Sequence, residues 1–153
     1  MTFDLNSIEV RLDLIAGYLT ELSQLTAFTS DEILADFYKY RTTERLLELI
    51  IQASLDINRH LLKEIRQIEP TTNADAFTEA IRVGILPEAL GSRLVKAAGL
   101  RNRLAHRYEQ IDPEIVIEAI QPTLTDYPTY IRAINAYLDS LEVDDDAESQ
   151  ERE

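Results

Sequence analysis

The 153-residue chain has no cysteine, no tryptophan, one methionine, two histidines, four glycines and five prolines. Without cysteine there is no disulfide, no thiolate nucleophile, no zinc–thiolate site and no iron–sulfur cluster. No apolar run approaches the roughly 18 residues that a membrane helix needs. The opening residues, Met1-Thr2-Phe3-Asp4, show no basic segment leading into an apolar one. No secretory signal is therefore expected, and the expected compartment is the cytoplasm. Basic residues are also scarce, 15 against 28 acids, for a net charge of −13. Such a charge argues against indiscriminate binding to nucleic acid or to an anionic membrane.

What the chain does contain is ordinary for one globular domain: 45% hydrophobic and 28% charged residues, enough to bury a core without covalent staples. The apolar residues recur at helical spacing. Leu5, Ile8, Leu12, Ile15, Leu19 and Leu22 place one stripe on a helix over about 3–27. Thr29 to Glu32 reads as a capping box. It opens one long helix to about Gln67, with a stripe of Ile33, Phe37, Tyr40, Leu47, Ile51, Leu55, Leu62 and Ile65. After the loop Pro70–Asn73, a short helix over about 74–83 ends at Gly84, a suitable C-cap. Pro87 opens a helix to about Arg107. Asp112 and Pro113 open the last, whose pattern contains Pro122 and Pro128 and so predicts a kink or break. The fold class is all-α, an antiparallel four-helix bundle with an additional short helix. The helical domain is assigned to residues 1–141. Residues 142–153 hold seven acids and one base and are expected to be a disordered acidic tail.

One segment breaks the acidic pattern. From Ala89 to Tyr108 there are five bases (Arg93, Lys96, Arg101, Arg103 and Arg107) and no acid. On a continuous helix Arg101, Asn102, Ala105 and His106 share one broad face, while Lys96, Arg103 and Arg107 form a neighbouring basic stripe. Such a set suits RNA cleavage without a metal. An imidazole titrates near neutrality and serves as acid or base. A guanidinium grips phosphate with a charged planar fork. An amide can orient either one. A single histidine cannot easily be both acid and base, so two copies across a two-fold axis are expected. The plainer reading is that an Arg and a His near a helix end complement its negative pole.

Arg101, Asn102, His106 and Tyr108 resemble the signature of the HEPN superfamily. The closer likeness is to HepT-like ribonuclease toxins, which pair with MNT-type minimal nucleotidyltransferase antitoxins. It extends to Tyr40–Leu47, to Gln52–Ile57, to Ala76–Pro87 and to Gly99–Asp112, and spans about residues 3–141. The resemblance implies a homodimeric, metal-independent RNA endonuclease with no cofactor. Arg101 and His106 match the catalytic pair and Asn102 the polar residue beside it. Arg103, Arg107 and Lys96 would help hold the RNA backbone. Tyr108 matches the tyrosine that the antitoxin modifies with AMP, which would place negative charge and bulk beside the cations that RNA needs.

The rival class is a non-catalytic helical module that binds a nucleotide or a nucleotidyltransferase partner. Other features invite plain readings. Asp56 and His60 have i, i+4 spacing but no third ligand, so no metal site is expected. Tyr38, Tyr40, Tyr127, Tyr130 and Tyr137 read as core or interface residues, with base-stacking as the alternative. Arg41 and Arg45, near Glu44 and Glu48, read as a solvated ion-pair network, with a place at the cleft as the alternative.

Overall fold

A computed structural model describes residues 4–106 and 111–151. All regular structure among them is helical: α1 (Leu5–Gln24), α2 (Ser30–Ala35), α3 (Phe37–Arg66), α4 (Asn73–Arg82), α5 (Glu88–Ala105), α6 (Pro113–Glu118) and α7 (Ile120–Glu151). A 3₁₀ turn, Leu25–Ala27, follows α1. The long helix α3 is the hub. It packs against α1, α4, α5 and α7, while α5 lies between α4 and α7. The predicted α1 stripe is buried from Ile8 to Leu22.

Local chemistry sets each boundary. The capping box at Thr29 and Glu32 forms as expected. The single helix expected from there to Gln67 is instead two. Asp36 takes extended backbone, φ −112° and ψ 110°, and its carboxylate accepts from the N–H groups of Tyr38 and Lys39. A short acid that can satisfy the orphan donors of a new helix competes with continuing the old one. The Lys39 ammonium, 2.9 Å away, holds the Asp36 carboxyl below its usual range. The break also moves Phe37 off the apolar stripe assigned to it, and this ring is 64% exposed.

Gly84, at φ +83°, follows the end of α4 and takes a left-handed turn that glycine makes at no steric cost. Two carbons of Ile81 occupy the space where a Cβ on Gly91 would stand, so α4 and α5 approach closely there. The last helical stretch breaks at Ala119. Pro122 then falls in the first turn of α7, where a missing N–H costs nothing. Pro128 is accommodated inside α7. Helix α7 runs on to Glu151, past the boundary assigned at Leu141, since no Gly or Pro interrupts the chain after Pro128.

A buried polar seam ties α3 to α7 and α4. The Tyr130 hydroxyl donates to Asn58 Oδ1 at 2.7 Å and lies 3.0 Å from the Ser54 carbonyl. Ser54 Oγ and the Tyr127 hydroxyl are 3.0 Å apart, and Asn58 Nδ2 donates to the Ala76 carbonyl at 3.3 Å. Burial pushes both phenols well above their ordinary value. These two tyrosines are core residues, as their spacing predicts.

Candidate active site

The motif helix α5 begins after Pro87 and ends at Ala105, two residues before the expected end at Arg107. His106 is its C-cap, in extended conformation at φ −87° and ψ 90°, and its N–H bonds to the Asn102 carbonyl. This exit changes the expected arrangement. On a continuous helix His106 would share a face with Arg101 and Asn102. Leaving the helix, it lines an open cavity of about 650 Å³ together with Arg103 of α5, Arg41, Glu44, Arg45 and Glu48 of α3, and Ile111 and Pro113. Neither Arg101 nor Asn102 lines that cavity.

The α3 wall explains the electrostatics. Arg41 pairs with Glu44 at 2.8 Å and Arg45 with Glu48 at 3.5 Å. Both arginines are exposed and both acids largely covered. The cations therefore face the opening. Screened pairs of this kind are worth little to stability. Tyr40 lies at the same wall, where desolvation, with the Glu44 carboxylate adding to it, raises its phenol pKa. The pairing expected between these residues is present, and so is their alternative place at the cleft.

Arg101, on α5, reaches α3 one turn beyond Glu48. Its Nε donates to Gln52 Oε1 at 2.7 Å, and Gln52 Nε2 donates to Asp56 Oδ1 at 2.8 Å. Because Glu44, Glu48, Gln52 and Asp56 repeat every four residues, they form one polar row down α3. The cavity and the Arg101 clamp are consecutive parts of that row. Asn102 is fixed separately: its Oδ1 accepts from Asn73 Nδ2 at 2.7 Å, and Asn73 Oδ1 accepts from Arg59 at 2.9 Å. Of the remaining bases, Arg93 is tied to Asp126 at 2.9 Å and acts as a strut to α7. Lys96 is exposed and away from the cavity. Arg107 and Tyr108 lie outside the described residues. His60 accepts from the Asp4 N–H at 3.2 Å, at the start of α1.

The positions that sequence reasoning passed over are Gln52, Asn73 and Arg59. Their signal was slight: polar residues flanking the buried stripe of α3, and an asparagine at a helix start. What they position becomes visible only once α5 is docked on α3.

A family model described as ribonuclease HepT-like matches residues 15–134. The chain belongs to the HepT-like ribonuclease family. It is 43% identical over 139 residues, 91% of this chain and 95% of the relative, to a tRNA nuclease HepT of Aphanizomenon flos-aquae. It is 29% identical over 90 residues, 59% of this chain and 68% of the relative, to an mRNA nuclease HepT of Shewanella oneidensis. Among solved structures it superimposes on a tri-AMPylated Shewanella oneidensis HEPN toxin in complex with an MNT antitoxin. The TM-score is 0.78 at 23% identity, over 87% of this chain and 99% of the other. That likeness establishes the HEPN fold for this HepT-like ribonuclease. No helix among its described residues is long and apolar enough to cross a membrane.

Proposed function

We propose that this HepT-like chain is the toxin of a toxin–antitoxin pair, a metal-independent RNA endonuclease acting in the cytoplasm as a homodimer. The observation that carries this reading is the position of His106, exposed at the end of α5 beside a cavity walled by Arg41, Arg45 and Arg103. An imidazole beside several guanidiniums is the equipment that phosphodiester cleavage asks for. The curated relatives named as tRNA and mRNA nucleases support the same substrate class.

In this account two copies bring their motifs to one groove. A neutral His106 takes the proton from the 2′-hydroxyl as its oxygen attacks phosphorus. The other copy's His106, protonated, gives a proton to the departing 5′-oxygen. Arg101 binds the phosphate oxygens and offsets the charge that builds on them, and Asn102 orients the set. Arg103, Arg107 and Lys96 hold flanking backbone. Silencing falls to a nucleotidyltransferase antitoxin; the related solved HEPN toxin is tri-AMPylated and in complex with an MNT antitoxin. The Tyr108 phenolate attacks the α-phosphorus of ATP, pyrophosphate leaves, and the new phosphodiester competes for the cations that bind RNA.

Expression alone should arrest growth, and His106→Ala should relieve the arrest. Co-expression with the antitoxin should add AMP mass that Tyr108→Phe abolishes. A non-catalytic partner-binding module would be harmless with or without His106.

A further inference from the structure

The first turn of α3 carries two aromatic rings that folding does not use. Phe37 is 64% exposed and Tyr38 is 80% exposed. They are not loose. The Asp36 carboxylate accepts from the Tyr38 N–H at 2.9 Å and from the Lys39 N–H at 3.2 Å, which fixes the rotation of the turn. The two rings pack edge to face with centroids 5.7 Å apart. The Arg41 guanidinium sits 5.2 Å from the Phe37 centroid.

Arg41 is the link, because it also lines the cavity that holds His106. Rings and cavity are therefore neighbouring parts of one surface. Exposed large apolar side chains lose the stabilisation that burial would bring, so a rigidly capped pair of them marks a contact surface. The charge around them selects the class of partner. Lys39, Arg41 and Arg45 follow the rings within two turns, paired with Asp36, Glu44 and Glu48; Arg41 and Arg45 stay exposed while their acids are largely covered, so it is their guanidiniums that meet solvent. Aromatic faces interleaved with cations are the pattern that single-stranded nucleic acid recognises: bases stack on the rings while phosphates meet the guanidiniums.

We propose that Phe37 and Tyr38 form a base-stacking platform that receives the single-stranded RNA next to the scissile bond, with Arg41 gripping the phosphate between platform and cavity. This rests on the ribonuclease reading above and adds to it a preference for unpaired substrate. A stacked duplex cannot offer its base faces to the rings, so paired RNA would meet only the cations.

The test uses the full chain and a fluorescent single-stranded oligoribonucleotide with 2′-O-methyl groups, which binds but cannot be cut. Phe37→Ala with Tyr38→Ala should weaken binding about tenfold or more, and Tyr38→Trp should restore it. A duplex of the same sequence should bind with an affinity that the double substitution hardly changes. Unchanged single-strand affinity, with or without loss of antitoxin binding, overturns the platform. So does a loss that sedimentation shows to accompany dissociation of the dimer, which would make the patch an interface between copies. If the unsubstituted protein neither binds nor cuts single-stranded RNA, the ribonuclease reading itself fails, a result distinct from an intact nuclease indifferent to Phe37 and Tyr38.

Discussion

The guanidinium of Arg101 is held by Gln52: Nε–H donates to the amide oxygen at 2.7 Å, while the amide nitrogen donates to Asp56 at 2.8 Å. An amide can do both because it carries an acceptor and a donor side by side. Asp56 thereby fixes which end of Gln52 faces Arg101. With Nε engaged, the two terminal nitrogens are the groups that the proposed mechanism gives to phosphate.

Gln52→Ala should therefore slow the chemical step more than it weakens binding. Loss of an orienting contact is expected to cost about 10- to 100-fold in kcat. Affinity for an uncleavable RNA should fall much less. Parallel single-turnover cleavage and anisotropy titrations read the two quantities, and equal losses in both would show that Gln52 does not orient Arg101.

Tyr130→Phe should destabilise the fold by about 1–3 kcal/mol, because Asn58 Oδ1 loses its buried donor. Urea melts against the unsubstituted chain measure it.

The same tyrosines set an alkaline limit. Burial raises the phenols of Tyr127 and Tyr130 above their ordinary value of 10. Above that value the unfolded chain ionises them while the folded chain keeps them neutral. Their contribution is complete below pH 10 and is lost as pH rises toward the folded values. Stability from urea melts should fall between about pH 10 and about pH 12, and Tyr127→Phe should make the fall shallower.

Gly91→Ala should cost about 1–3 kcal/mol. The new methyl would overlap Ile81 Cγ1 and Cδ1, and α4 and α5 would have to part. A lowered melting temperature checks this, and Ile81→Ala in the same chain should recover part of the loss.

The helices and core were legible because burial repeats at helical spacing: Ile8, Leu12, Ile15, Leu19 and Leu22 are all buried. The break at Asp36 was less legible, since one carboxylate decides it against an otherwise continuous apolar pattern. The motif residues were visible as a basic island, but their arrangement was not. A helical wheel assumes the helix continues, and the helix stops at Ala105. His106 therefore joins Arg103 at the cavity, while Arg101, still inside the helix, bonds to Gln52. Contacts such as Arg101–Gln52, 49 residues apart, depend on how α5 docks against α3, which periodicity along one chain does not encode.

The most direct test of the central claim is RNA cleavage by purified protein in EDTA, with His106→Ala alongside. The account predicts that the parent cuts and that the variant, equally folded and equally dimeric, is slower by at least about 10²-fold. Cleavage by the variant at the parent's rate would contradict it.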